Sequence, residues 1–185
     1  VALYGPEGKT ATTYFNGCTF GGTEEGEGNH ATKRGGAMYL EDESYANLVD
    51  CSLIGNHSNN NGGAICVEGW EKLCVFRSTF IGNYGESGGA IYTDCGTNKN
   101  YADLFIDECS FDANHITAGW GTTMNINGIN RFCMHNSSIR GSYNTTKQSG
   151  DKASWLSIDV SYDGCNSSSI SNCSIIGNTQ YGSDA

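Results

Sequence analysis

One pentapeptide theme returns three times at nearly even intervals: GGAMY at Gly35 to Tyr39, GGAIC at Gly62 to Cys66 and GGAIY at Gly88 to Tyr92. A second motif runs beside it in six copies: CTFGGT at Cys18, CSLIGN at Cys51, STFIGN at Ser78, CSFDAN at Cys109, SSIRGS at Ser137 and CSIIGN at Cys173. A chain that repeats itself at this period is an array, in which one unit buries its apolar face only by stacking on the next. Measured at the large apolar residue of each copy (Phe20, Leu53, Phe80, Phe111, Ile139, Ile175), the spacings are 33, 27, 31, 28 and 36. Fixed motifs at varying spacing describe a constant scaffold interrupted by loops of different length.

The offsets within a copy give the geometry. Two positions before each reference stand Cys18, Cys51, Ser78, Cys109, Ser137 and Cys173, all small. Five before stand Phe15, Leu48, Val75, Ile106, Met134 and Ile170, all apolar. Residues on one face of a strand are separated by even numbers, so an offset of five breaks the strand. A corner of about two residues between two short strands lets both turn the same face inward. At three before the reference, where that corner falls, stand Gly17, Asp50, Arg77, Glu108, Asn136 and Asn172, all polar or Gly. Two after the reference stand Gly22, Gly55, Gly82, Ala113, Gly141 and Gly177, with Asn next in four copies. Gly and Asn tolerate left-handed backbone angles, so this is a second corner.

The pattern predicts an all-β fold, a parallel β-helix of about six rungs, right-handed given rungs of about thirty residues. At roughly 4.8 Å per rung the rod is on the order of 30 Å long. The glycines of GGA supply a bend where a side chain would collide with the rung above. Composition agrees: 26 Gly, 19 Asn, 19 Ser and 15 Thr against one Pro favour short strands and tight turns over helices. The 185 residues read as a single β-helix domain spanning 1–185 and, because its end rungs would expose unpaired edges and no capping helix is visible, as a segment of a longer extracellular rod.

The motifs resemble the repeats of the chlamydial polymorphic outer-membrane protein family, which carry GGAI and FxxN elements. GGAI is matched at Gly62 to Ile65 and Gly88 to Ile91, and nearly at Gly35 to Met38. FxxN is matched at Phe80 to Asn83 and Phe111 to Asn114, and with Leu or Ile in place of Phe at Leu53 to Asn56 and Ile175 to Asn178. The resemblance spans roughly Phe15 to Asn178 and weakens after Asn114, where GWGTTM from Gly119 replaces GGAI and IRGS from Ile139 replaces FxxN. It implies a β-helix, surface placement and adhesion.

The formal charge of −10, with no basic run longer than Lys33–Arg34, argues against nucleic acid or an anionic membrane as partner. No apolar run approaches membrane length, so no membrane insertion by this segment is expected. Nine cysteines without a CxxC pair point to an oxidising, extracytoplasmic setting. Cys18 and Cys51 lie on adjacent rungs of one inward rank, at a separation compatible with a disulfide, whereas Ser78 intervenes between Cys51 and Cys109. The other thiols of the ranks are expected to be small buried fillers.

For catalysis, the candidate rank is the corner with Asp50, Arg77 and Glu108 on consecutive rungs and Asp107 beside it. Acid, base and acid stacked about 5 Å apart form a charge-alternating ladder, the structural reading preferred here. No metal or cofactor is expected. Calcium is a weak candidate for the acidic stretches Glu24 to Gly28 and Glu41 to Glu43, which lack the alternating ligand pattern of an EF-hand loop. His57 and His115, with Tyr84 between them, are assigned to the surface, and Trp70 to an exposed loop. If the source is eukaryotic, the sequons at Asn136, Asn144, Asn166 and Asn172 are the expected glycan sites, while Asn56 belongs to the stacked Asn rank and is inaccessible.

Two function classes follow. The first is a non-enzymatic, extracellular cell-surface structural or adhesive module that meets other surface proteins or neighbouring glycans, with end-to-end or side-by-side self-assembly. The alternative is a carbohydrate-active β-helix protein, a polysaccharide lyase, hydrolase or glycan binder, which needs carboxylates converging in a groove.

Overall fold

The structure is a computed structural model that describes residues 1–6, 8–69, 71–94, 102–145, 156–159 and 167–179. Its regular elements are all short strands, and each pairs in parallel with its equivalent one turn away. Sheet A holds Ala2–Tyr4, Met38–Glu41, Ile65–Glu68, Ile91–Asp94, Met124–Asn127 and Leu156–Asp159. Sheet B holds Ala11–Asn16, Ser44–Val49, Lys72–Phe76, Ala102–Asp107, Ile129–His135 and Ser167–Ser171. Sheet C holds Thr19–Gly21, Ser52–Ile54, Thr79–Ile81, Ser110–Asp112, Ser138–Arg140 and Ser174–Ile176. Sheet D holds His30–Ala31, His57–Ser58, Tyr84–Gly85, His115–Ile116 and Tyr143–Asn144, with Thr179 bridging to Tyr143. The chain visits A, B, C and D in order on every turn, which is a parallel β-helix. Four inner turns, from Met38 to Asn144, are stacked on both sides.

The two apolar ranks read from the sequence are in register. Leu48, Val75, Ile106 and Met134 in sheet B, and Leu53, Phe80, Phe111 and Ile139 in sheet C, pair turn to turn and are fully buried. Phe80 and Phe111 stack at 4.6 Å between ring centroids. Each such side chain contributes roughly 1.5–3 kcal/mol by leaving water.

The corner between sheets B and C is left-handed on every turn: Gly17, Asp50, Arg77, Glu108, Asn136 and Asn172 have φ between 45° and 63°. Five of these are not glycine, and that conformation costs them roughly 1 kcal/mol each. The turn-to-turn ladder continues through the corner and holds it. Asp50 N donates to Phe76 O at 3.1 Å, Arg77 N to Asp107 O at 3.0 Å and Glu108 N to His135 O at 3.2 Å.

The small rank that follows does more than fill space, as the sequence reading had it. Each side chain donates back across the corner to the carbonyl two residues earlier: Ser78 Oγ to Phe76 O at 2.8 Å, Cys51 Sγ to Val49 O at 3.3 Å, Cys109 Sγ to Asp107 O at 3.1 Å and Cys173 Sγ to Ser171 O at 3.2 Å. Ser and Cys both serve at this rank because both are small donors.

The corner between C and D is also left-handed, at Gly55, Gly82, Ala113, Gly141 and Gly177. In the first turn the positive φ falls on Gly21, one residue before the position the offsets gave. Behind it runs a buried amide ladder. Asn83 Oδ1 accepts from Asn56 N and Asn56 Nδ2, each at 3.0 Å, while Asn83 Nδ2 donates to Leu53 O at 2.9 Å and Asn114 Oδ1 at 2.9 Å. Asn114 Nδ2 reaches Phe80 O at 2.9 Å. At the top Asn29 takes the same part, donating to Asn56 Oδ1. The loop carrying Glu24 to Gly28 displaces Asn29 from its motif, which is why the spacing did not reveal it.

In the D-to-A corner the first glycine of GGA is left-handed, with φ of 62° at Gly35, 67° at Gly62 and 60° at Gly88, and Gly121 follows at 65°. The second glycine lies against the backbone of the next turn, as the repetition of GGA implied.

Candidate functional site

Four outward-facing places are candidates, and they differ in what they can do. The first is the B-to-C corner. Arg77 forms two hydrogen bonds to Asp50, at 2.8 and 3.0 Å, and these hold the Asp50 carboxyl below its ordinary range. Asn136 Nδ2 donates to Asp107 Oδ1 at 2.8 Å and Asn172 Nδ2 to Asn136 Oδ1 at 2.6 Å. The ladder expected from the sequence is present in its Asp50–Arg77 step, and further along the solvated edge the bonded acid is Asp107, held by Asn136, and not Glu108.

Of the sequon asparagines, Asn136 and Asn172 are exposed at this corner. Asn144 is 0 % exposed, with its side chain turned into the coil at the end of its sheet D strand. The folded chain therefore presents no accessible amide there, contrary to expectation; its tripeptide resembles a loop, but its parity is inward. Asn166 and Trp70 lie outside the described residues. Asn56 is fully buried in the amide ladder. Cys18 and Cys51 stand on adjacent turns as free thiols. Burial pushes the Cys51 thiol up, and Cys109 reaches about 11 for the same reason, so neither is a nucleophile at neutral pH.

The second place is sheet D, where His30, His57, Tyr84, His115 and Tyr143 form one continuous ring stack. Centroids are 3.9, 4.6, 4.9 and 4.6 Å apart, with planes within 15° of parallel. Burial lowers the pKa of His57 and of His115, and at His57 the neighbouring His30 adds to the effect. The sequence placed His57, Tyr84 and His115 at the surface; the structure makes them half-buried members of a five-ring stack.

The third place is the corner between A and B. Asp42 and Glu43 form that corner with φ of 57° and 58°, where the sequence had a loop. Directly inside lies Glu71, 2 % exposed, in an inward rank with Ser44 above and Ala102 below. Neither Glu71 oxygen makes a hydrogen bond of acceptable geometry, although the Glu71 and Glu43 amides lie near, and Ser44 Oγ is likewise without a partner. Loss of water pushes the Glu71 carboxyl up to about 8. Sequence reasoning passed over it, although the alternation Glu71, Leu73, Val75 gives it inward parity. Among the described residues no three His, Cys, Asp or Glu side chains are grouped to hold a metal ion.

Below pH 4.5 Glu71 is neutral in both folded and unfolded chains, and its burial carries no charge penalty. Between 4.5 and about 8 the unfolded chain ionises while the folded one keeps its proton, so stability falls with rising pH and levels off above 8. Glu71→Gln should remove this fall, gaining about 2–4 kcal/mol over wild type at pH 8.5 and little at pH 4. Urea midpoints of both proteins at pH 4, 6 and 8.5 test it; parallel pH curves would refute it.

The fourth place is a groove over the outer face of sheet A. Its outward row is Tyr39, Cys66, Tyr92 and Asn125, and beside it runs Glu41, Glu68, Asp94 and Asn127. The D-to-A loops lean over this face and bury Cys66, Tyr92 and Asn125. On the early turns Arg34 and Tyr39 Oη both engage Glu68. On the later turns a cavity of about 450 Å³ opens between the loop residues Asn60, Asn61 and Trp120 and the sheet residues Tyr92, Asn125 and Asn127. Trp120 is 45 % exposed. Among the described residues a large aromatic, several amides and a concavity meet here, and this is the candidate site.

Residues 50–68 and 77–94 match the family model described as the Chlamydia polymorphic membrane protein (Chlamydia_PMP) repeat. Each match runs from the left-handed B-to-C corner through sheets C and D and the GGA bend to the end of a sheet A strand, so the matched unit is three sides of one turn. No curated protein and no solved structure matches the chain.

Proposed function

We infer that a β-helix carrying Chlamydia polymorphic membrane protein-type repeats serves as a non-enzymatic module of a cell surface, structural or adhesive in role. The observation that supports it most is that the matched unit recurs as the building block of the inner turns. It supplies a rod whose repeated residues go into stacking, with loops displayed at its corners. The charged corner supports the same reading, since Asp50 is paired with Arg77 and Asp107 is hydrogen-bonded by Asn136 instead of converging on a reacting centre. The partners of such a rod are other surface proteins or neighbouring glycans, with copies of itself as a further class.

The test uses antibodies raised against the chain on intact cells of the source organism, before and after protease shaving. Surface labelling that shaving removes is expected, together with adhesion of beads coated with the chain. Labelling that appears only after permeabilisation would overturn the proposal.

A further inference from the structure

We propose that Cys18 and Cys51 form a redox latch: in an oxidising setting they join as a disulfide that ties the first turn of the helix to the second, and a reductant opens it. Both lie at the corner between sheets B and C. Asn16 pairs with Val49 before that corner and Thr19 with Ser52 after it, so Cys18 stands opposite Cys51. Ser52 N donates to Cys18 O at 2.9 Å and fixes the register there. Paired strands lie about 4.8 Å apart, and a disulfide joins Cα atoms about 4.4–6.8 Å apart, so the spacing suits the bond. Cys51 Sγ leans toward the first turn, donating to Phe15 O at 3.6 Å, and the two thiols are within hydrogen-bonding reach of each other. Further along the rank, two turns separate Cys51 from Cys109 and Cys109 from Cys173, with Ser78 and Ser137 between them. Those pairs lie beyond the roughly 7 Å that a disulfide can bridge.

Exposure sets the order of events. Cys18 is half-buried, whereas Cys51 is 1 % exposed. The Cys18 thiolate attacks a small disulfide such as oxidised glutathione, a mixed disulfide forms on Cys18, and one glutathione leaves and takes up a proton. Cys51 then gives its proton to solvent and attacks the Cys18 sulfur, which forms the Cys18–Cys51 bond and releases the second glutathione as a thiol. Two protein thiols are oxidised and one glutathione disulfide is reduced. Burial pushes the Cys51 thiol up, so the second step is slow at neutral pH and quickens as pH rises. The cysteines are 33 positions apart and enclose sheet C and D strands of the first turn and sheet A and B strands of the second. The bond therefore closes one full circuit of the coil on itself.

The experiment holds the 185-residue chain at about pH 8.5, where both thiols exchange, in glutathione buffers from fully reduced to fully oxidised. Free thiols are then blocked with N-ethylmaleimide and the digested chain is mapped by mass spectrometry. The oxidised buffer should yield a peptide pair joined through Cys18 and Cys51 that dithiothreitol separates, and a urea midpoint about 1–2 M above that of the reduced chain. Cys18→Ser should lose both the link and the rise while keeping the midpoint of reduced wild type, since serine already serves this rank at Ser78 and Ser137. Cys51→Ser should stop at glutathione on Cys18. Recovery of Cys18 and Cys51 as blocked thiols, either one joined to a different cysteine, or a linked chain with an unchanged midpoint would each overturn the proposal. The assay reads the purified chain, so it stands apart from the antibody labelling that decides the surface reading.

Discussion

Asn83→Ala is expected to lower the stability of the chain by about 4–6 kcal/mol, enough to leave much of it unfolded at 37 °C. The side chain is completely buried and serves two turns at once: its oxygen accepts from Asn56 N and Nδ2, and its amide donates to Leu53 O and Asn114 Oδ1. Truncation leaves the Asn56 donors and the Leu53 carbonyl buried without partners, each costing about 1–3 kcal/mol. Asp at this position would keep the acceptor and lose the donors, and would bury a charge. Asn29→Ala, at the partly exposed top of the ladder, removes only the Asn29 Nδ2 bond to Asn56 Oδ1, keeps the one from the Asn29 backbone amide, and should cost about 1 kcal/mol. Urea denaturation of the three proteins measures this gradient. A loss below about 1.5 kcal/mol for Asn83→Ala would mean that the ladder follows from the fold without holding it.

Inward ranks were legible in the sequence because they repeat. Small, apolar and Gly or Asn positions recur at fixed offsets, and those offsets alone located both left-handed corners and the registered apolar ranks. The features that escaped are the ones that do not repeat identically. The sheet D stack mixes His and Tyr, so as letters it looks irregular although as planar rings it is uniform. Asn29 was displaced from its offset by an inserted loop. Glu71 stands alone in its rank between Ser44 and Ala102, and a rank-by-rank reading discards a single exception.

The groove escaped for a different reason. Its floor lies four residues after the first glycine of each bend, at Tyr39, Cys66, Tyr92 and Asn125. Parity points those positions outward, and nothing in the spacing says that a loop folds back over them. Outward residues on a solenoid are decided by loops of variable length, and loops are where the repeat signal is lost. Function on this fold is therefore least visible where the motif is strongest. The two matched segments specify the stack, whereas Trp120 belongs to the turn on which GGAI has given way to GWGTTM.

The sharpest test of the stacking argument is Gly63→Ala, the addition of one methyl group. A Cβ at Gly63 would sit 2.0 Å from Gly89 O and 2.5 Å from the Tyr84 carbonyl, all backbone atoms of the next turn. A flexible side chain could swing aside, but these atoms are held by the ladder, where Gly63 N itself donates to Gly88 O at 3.1 Å. Relief requires the turns to separate locally, breaking the ladder on sheet A where Ala64 and Ile65 also bond to Ala90 O. Overpacking of a core usually costs about 1–3 kcal/mol; with ladder-held backbone as the obstacle the expectation here is above about 4 kcal/mol, so the variant should be largely insoluble or unfolded. Gly82→Ala is the control. Gly82 has a positive φ of 60°, which Gly63 lacks, but nothing within 4 Å of an added Cβ, so it carries only the conformational cost of about 1 kcal/mol. Thr122 occupies the equivalent of Gly89 on the following turn and is buried with its hydroxyl unpartnered, so the glycine requirement belongs to the turns that carry GGA and is not a property of the corner in general. Soluble yield and urea midpoints of the two variants decide the matter. If Gly63→Ala were no worse than Gly82→Ala, the glycine pair would owe its repetition to backbone angle alone, and close approach between turns would have to be dropped as its cause.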